Sequence, residues 1–331
     1  MTELTIADST RMPVSGPEVL DLTFRLGALT VEQLRNLLVK PLSARRTREA
    51  LAALRKGPHD RPLIATSRRY YPYAQASGET GRWLGVHYLT DSGIRYVAAR
   101  RALYPATARS LYSRVLTDAT VDHALLRNEF YALFASALRS TRDGDESGAA
   151  SDWCGLGLET MCGESGYTPI LLHQHSEKTS QEASGPNPGK KRRLYLNPDG
   201  VLEVNRKGDP GFHAYYFIES DTGSQDMPWQ IARKAEHYAE HFADLLALGR
   251  PIPKVLFVSP TVERTRWVRQ VIYLNALEKS TRFFKTRSLF EKRGLSLASK
   301  VVFTNLIWQR AHGPLGTSYW SLVSNERERP F

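Results

Sequence analysis

The segment that most constrains this chain is Tyr215-Tyr216-Phe217-Ile218, an apolar run that ends directly in Glu219-Ser220-Asp221. Aromatic and β-branched side chains suit an extended, half-buried backbone, so His213 to Glu219 predicts a strand. Side chains alternate across a strand, which puts Tyr215, Phe217, Glu219 and Asp221 on one face. A neighbouring strand is predicted at Gly200-Val201-Leu202-Glu203-Val204, opened by Pro198-Asp199. Pairing of the two strands would bring Asp199, Glu219 and Asp221 together. Clustered carboxylates repel, and burial makes each harder to ionise, so such a group calls for a divalent cation, an ammonium, or both. Lys234, carried by the next predicted helix, is the candidate ammonium. The plainer reading of the same residues is a Pro-Asp-Gly turn followed by a solvated acidic strand end.

The elements beyond the acids set the fold class. Met227 to Leu248 carries Ile231, Ala235, Tyr238, Phe242 and Leu245 at helical spacing. Pro253 to Val258 reads as a buried strand, Thr261 to Leu277 as a helix and Lys300 to Thr304 as a further strand. Alternating strands and helices predict an α/β sheet with helices on both faces. His237 and His241 stand one helical turn apart and are expected at the surface. There is no Gly-rich phosphate loop of the Walker type, which argues against ATP hydrolysis. A His-rich nicking motif is not evident either.

The first hundred residues have a different pattern. Residues 1–16 are polar and expected to be loose. Pro17 starts a predicted helix that ends near Gly27, Thr30 with Gln33 forms a capping-box start for a second, and Ser43 opens a third. Pro62 to Thr66 and Trp83 to Leu89 read as strands joined by a loop holding Arg68, Arg69, Tyr70 and Tyr71. Three short helices followed by a hairpin predict a winged helix over residues 17–105. Of the net charge of +11, residues 43–101 contribute +8, with twelve Lys/Arg against four Asp/Glu. A basic region of this kind points to a polyanionic partner. Arg45, Arg46 and Arg48 on the third helix, with Arg68 and Arg69 in the wing, are the candidate contacts to double-stranded DNA. A winged helix that contacts another protein is the alternative.

Residues 109–140 form an amphipathic helical region with Val121, Leu125, Leu126, Phe130, Leu133, Phe134 and Leu138 on its apolar face. His123, Asn128 and Glu129 lie on it, and spacing alone makes His123 and Asn128 packing residues. A linker is expected at 141–151, a strand at 169–172 and an irregular loop at 175–193, ending in the basic quartet Lys190-Lys191-Arg192-Arg193. Two cysteines, Cys154 and Cys162, are too few for a disulfide framework. No apolar run approaches the ~20 residues of a membrane span. Membrane insertion is therefore not expected, and the expected location is the cytoplasm.

Several of these stretches together resemble the plasmid replication-relaxation family: the winged-helix start, His123-Ala-Leu-Leu-Arg-Asn128, Asn197-Pro198-Asp199-Gly200, Phe217 to Gly223, Arg233-Lys234-Ala-Glu-His-Tyr238 and Val255 to Val258. The resemblance spans roughly Pro17 to Trp308. It implies a PD-(D/E)XK nuclease-like α/β domain over 106–331 and a role in plasmid replication or mobilisation, including relaxases that nick a transfer origin. It also raises His123 and Asn128 to site residues and makes Asp199, Glu219 and Asp221 the metal-centre residues. The general nuclease pattern has lysine two residues after the second acid, where this chain has Asp221, so Lys234 would have to supply that charge from the helix.

The resulting expectation is a DNA-binding protein of plasmid or mobile-element origins, working with replication or transfer proteins. Asp199, Glu219 and Asp221 would hold Mg²⁺ or Mn²⁺ beside the scissile phosphate, with Lys234 next to it. Glu129 and Glu159 are weaker candidates for a further acid. A non-catalytic DNA-binding accessory protein with a degenerate nuclease domain is the rival expectation.

Overall fold

The computed structural model describes residues 12–71, 82–113, 118–144, 153–156, 170–171, 195–196, 198–206, 209–223, 227–306, 319–322 and 327–328. It is a mixed structure of helix and strand. The chain begins with α1 (Gly16–Leu26), β1 (Leu29–Thr30), α2 (Val31–Leu37) and α3 (Ala44–Lys56). The starts of these helices follow from local chemistry. Thr30 and Gln33 form a reciprocal capping box, each side chain bonding the other's backbone N–H. Ser43 caps α3 by accepting from the Arg46 N–H. α3 stops at Gly57, whose φ of +68° is in the left-handed region, and a Cβ there would stand 1.7 Å from the Arg61 carbonyl oxygen.

The hairpin β2 (Ile64–Tyr71) and β3 (Arg82–Leu89) joins β1 in an antiparallel sheet of order β1-β3-β2, followed by α4 (Asp91–Arg100). Arg68, Arg69, Tyr70 and Tyr71, expected in the connecting loop, instead belong to β2, where Arg69 is in register with Leu84 and Tyr70 with Trp83. Alternating β-formers carry the ladder further than the charge pattern suggested.

The amphipathic region expected as one unit over 109–140 contains two helices, α5 (Pro105–Ser113) and α6 (Asp118–Gly144). α6 also continues through Thr141 to Gly144, where a linker was expected. An established helix propagates through polar residues at little cost per residue. The strands that follow are β4 (Trp153–Leu156), β5 (Ile170–Leu171), β6 (Tyr195–Leu196), β7 (Gly200–Arg206) and β8 (Asp209–Ser220). Beyond them come α7 (Pro228–Ala247), β9 (Lys254–Ser259), α8 (Val262–Ile272), a π-helical turn (Tyr273–Leu277), α9 (Thr281–Glu291), β10 (Val301–Asn305), β11 (Tyr319–Ser321) and β12 (Arg327–Glu328). The rest of the expected linker, residues 145–151, and the expected loop at 175–193 lie outside the described residues.

The larger sheet has the order β12-β11-β10-β9-β8-β7-β4. β8, β9 and β10 are parallel, and β7 returns antiparallel against β8. Period-two alternation divides its side chains between two cores. Tyr216, Ile218, Leu256, Val258 and Val302 share a core with α6 and the N-terminal helices. Phe217, Val255, Phe257, Val301 and Phe303 share the other with α7, α8 and α9. Helices thus cover both faces, as parallel strands buried on each side require. Among the described residues, no helix is long and apolar enough to cross a membrane.

Candidate active site

The candidate site lies where the central strands end, between α6 on one face and α7 with α8 on the other. Strand alternation assigns its members. Glu219 is the next residue after Phe217 on the α7 face, and Ser220 follows Ile218 on the α6 face. The register Gly200↔Ile218 brings Asp199, just before β7, beside Glu219 and Ser220.

Glu219 is 2% exposed. Tyr238 donates its phenol to Glu219 Oε1, and the Lys234 ammonium pairs with Oε2. Lys234 and Tyr238 lie four residues apart on α7, so one helical face delivers both. Burial pushes the Glu219 carboxyl up to about 7; the Lys234 charge opposes this, while the Asp199 charge reinforces it. Burial works against the Lys234 ammonium, but the charges of Glu219 and Asp199 outweigh it and hold its pKa above the usual lysine value.

Asp199 is held from its other side. Its Oδ2 accepts the Ser220 N–H at 2.8 Å, and Arg127 Nη1 donates to its backbone carbonyl at 2.7 Å. His123, on α6, stands 3.9 Å from Asp199 Oδ2. Its Nδ1 donates to the Ser220 carbonyl at 2.7 Å, which leaves Nε2 facing the Thr222 hydroxyl at 3.3 Å. These bonds fix the ring orientation, with the Nδ1–H defined by its carbonyl acceptor.

Asp221 takes a different course. β8 ends at Ser220, and the Asp221 N–H continues to the Val258 carbonyl at 2.9 Å. Arg264, in the first turn of α8, grips the carboxylate with two bonds, Nε to Oδ2 at 2.6 Å and Nη2 to Oδ1 at 3.0 Å. Asp221 Oδ1 also accepts the Gly223 N–H at 3.3 Å. A planar guanidinium that matches both oxygens is a strong and directional partner. The three predicted acids therefore meet at one end of the sheet without forming a single cluster: Glu219 pairs with Lys234, Asp199 is held by the Ser220 N–H and Arg127, and Asp221 belongs to Arg264. Among the described residues, no group of three or more His, Cys, Asp and Glu side chains is arranged to hold a metal ion.

Asn128 does not reach the acidic centre. Fully buried, it donates to the carbonyls of Leu26 at 3.0 Å and Ala28 at 2.9 Å, while its Oδ1 accepts from Arg127. Its amide is used in clasping the end of α1 to α6. Glu129 accepts from Gln33 at 3.3 Å in the contact between α2 and α6. His237 and His241, expected at the surface, are half-buried, and His241 packs against Phe217 with ring centroids 6.1 Å apart.

On the N-terminal part, Arg45, Arg46, Arg48 and Arg68 are exposed, with Arg45 paired to Glu49 at 2.8 Å. Arg69 differs, since its Nε donates to Asp122 on α6 at 3.0 Å. Lys190, Lys191, Arg192, Arg193 and Glu159 lie outside the described residues. Sequence reasoning missed Arg127 and Arg264 and gave Tyr238 only a packing role. Tyr238 was traceable, because it follows Lys234 by one turn; the two arginines carried no local signal.

A family model described as Replication-relaxation matches residues 21–247 of the chain. No curated protein and no solved structure matches it.

Proposed function

The chain belongs to the replication-relaxation family, and on that premise we propose that it binds duplex DNA through α3 and the β2–β3 hairpin and cleaves a phosphodiester at Asp199, Glu219 and Lys234. The observation that carries this reading is the arrival of Lys234 at Glu219. An acid before one strand, an acid at the end of its partner and a lysine paired to the second and within the field of the first make up the nuclease-type set that the linear order disguises by placing Asp221 in the lysine's position. Asp221 then serves the site indirectly, by anchoring α8 through Arg264.

Within this reading each side chain has a defined task. The Lys234 ammonium neutralises negative charge that develops on the phosphoryl oxygens, a role suited to a preorganised cation in a water-poor pocket. Glu219, with a carboxyl near 7, can exchange a proton close to neutral pH. Asp199 is partly exposed and held by the Ser220 N–H, so it can meet the reacting group without moving its strand. His123 keeps the Asp199 and Ser220 end of the site in place from α6.

The donor set of Asp199 and Glu219 fits Mg²⁺ or Mn²⁺, since such an ion is commonly held by one or two protein carboxylates, with water and phosphate oxygens completing its shell. When bound, the ion would polarise the scissile phosphate and lower the pKa of a coordinated water. Its approach would require Glu219 Oε2 to share or release the Lys234 ammonium.

A second reading has its own support. Both buried acids already carry a cationic partner, Glu219 with Lys234 and Asp221 with Arg264, which is also what a nuclease fold kept only for DNA binding would need. The experiment that separates the two uses supercoiled plasmid carrying DNA of the native element, with Mg²⁺, with Mn²⁺ and with EDTA, comparing wild type and Asp199→Ala. Cleavage predicts relaxation that requires metal and disappears in the variant while duplex affinity is kept. A variant that relaxes plasmid as wild type does removes Asp199 from the centre. Bound plasmid that stays supercoiled with either metal establishes the binding-only reading.

A further inference from the structure

A cleft of about 400 Å³ opens between α7, the π-helical turn and α9, lined by Trp229, Ala232, Arg233, Glu236, Asn275 and Arg282. Trp229, in the first turn of α7, is 58% exposed, although a residue of its size would normally contribute to a core. Arg233 follows it by one turn on the same face, is exposed, and has no ion-pair partner among the described residues. Arg282 stands across the cleft at the start of α9, about half exposed, within 3.5 Å of Glu240. Residues 279–293 carry six Lys or Arg against one acid, and Phe284 among them is 62% exposed.

We propose that this cleft binds a single-stranded stretch of DNA, with one base stacked on Trp229 and the flanking phosphate between Arg233 and Arg282. An exposed indole beside two guanidiniums is the combination that single strands use, because every base has a face to stack and every link carries a charge. A duplex hides those faces. Glu236 and Asn275 add an acceptor and an amide at the edge of the same cleft, which suits the polar rim of a base better than a second phosphate. The proposal rests on the reading of the chain as a DNA-processing protein and deepens it. α7 presents Lys234 and Tyr238 inward to Glu219 and Trp229 and Arg233 outward to the cleft, so one helix would join the strand's grip to the acidic centre. Asn275 and Arg282 lie beyond the residues matched by the family model.

The test is fluorescence anisotropy of the full chain with a labelled oligodeoxythymidine of about 12 nucleotides and, separately, a labelled duplex. Trp229→Ala is expected to weaken single-strand affinity by about 5- to 150-fold, with Trp229→Phe recovering most of it. Duplex affinity should stay within about twofold, because that binding is assigned to α3 and the hairpin. Arg233→Ala with Arg282→Ala should reduce the salt dependence of single-strand binding. Unlabelled thymidine monophosphate is expected to compete weakly; competition as strong as that of the oligomer would make the ligand a free nucleotide and overturn the proposal. So would a Trp229→Ala chain that binds the oligomer as wild type does, or one that loses duplex affinity equally. Trp229-dependent single-strand binding in a chain that never relaxes plasmid would sink the cleavage reading alone. Duplex binding with Trp229-independent single-strand affinity would sink only this one.

Discussion

Glu219→Gln keeps the shape of the side chain at the centre of the site and removes its ability to ionise. Burial, with the Asp199 charge adding to it and Lys234 opposing, moves the native carboxyl from 4.5 to about 7. Between those values the folded chain holds a proton that the unfolded chain has released. The stability contributed by this proton is fully present below pH 4.5 and is lost as pH rises through about 7. At about 1.36 kcal/mol per pKa unit the loss is about 3 kcal/mol. His87 acts in the opposite sense, since burial and then the Arg55 charge push its imidazole down to about 4. Its contribution is present above the ordinary value of 6.5 and is lost as pH falls towards 4. The two effects offset each other in wild type, so a single stability curve is uninformative and the difference between two proteins is needed. Urea unfolding of wild type and Glu219→Gln, followed by circular dichroism from about pH 4 to about pH 8, provides it. His87 cancels in that difference, which leaves Glu219 and its coupling to Lys234. The stability of the variant relative to wild type is expected to climb by about 3 kcal/mol across the range, with its midpoint between the two pKa values. A difference that stays flat within about 0.5 kcal/mol, or falls, would refute the claim that Glu219 is held in a desolvated site against its own ionisation.

Other perturbations probe the rest of the molecule. Asn128→Ala leaves the Ala28 carbonyl without its buried donor, while the Leu26 carbonyl keeps the bond from Arg127, and should cost about 1–3 kcal/mol in urea unfolding; a cost under about 0.5 kcal/mol would mean that the clasp between α1 and α6 is not holding them together. Arg264→Ala strands the Asp221 carboxylate and should cost about 3–5 kcal/mol, whereas Arg264 and Asp221 replaced together should cost less than the two single changes summed; strict additivity would show that the pair does not interact. Replacing Arg45, Arg46 and Arg48 by alanine should lower the slope of log affinity for duplex against log salt by about 0.9 for each phosphate that is no longer neutralised; an unchanged slope would take α3 off the DNA.

Much of the fold was legible because its signals are local. Thr30 with Gln33 and Ser43 mark helix starts by the bonds their own side chains make. The apolar runs at 216–218, 255–258 and 301–303 mark strands buried on both faces, since such strands must be apolar throughout. The expectation that Asp199 and Glu219 adjoin was recoverable from strand alternation and a single assumption of pairing, and the register Gly200↔Ile218 agrees with it. Lys234 was readable as the compensating charge because a buried carboxylate demands one and the following helix offered it at the right face.

The fates of Asp221, Arg69 and Asn128 were decided by residues distant in the chain. Alternation says which face Asp221 takes, but its partner Arg264 lies 43 residues on, and only the packing of α8 against β9 brings the guanidinium to it. Arg69 carries the same charge as Arg68, yet α6 places Asp122 beside it and leaves Arg68 in solvent. Asn128 and His123 share a helix and a polar character. The packing of α6 between the N-terminal helices and the large sheet turns the first towards the end of α1 and the second towards Ser220. Sequence alone determined which charged side chains the chain carries and which elements hold them, because propensity and alternation act over a few residues. Tertiary structure decided which charges are paired and which remain available, because that depends on distances between groups the chain separates by 43 to 102 positions.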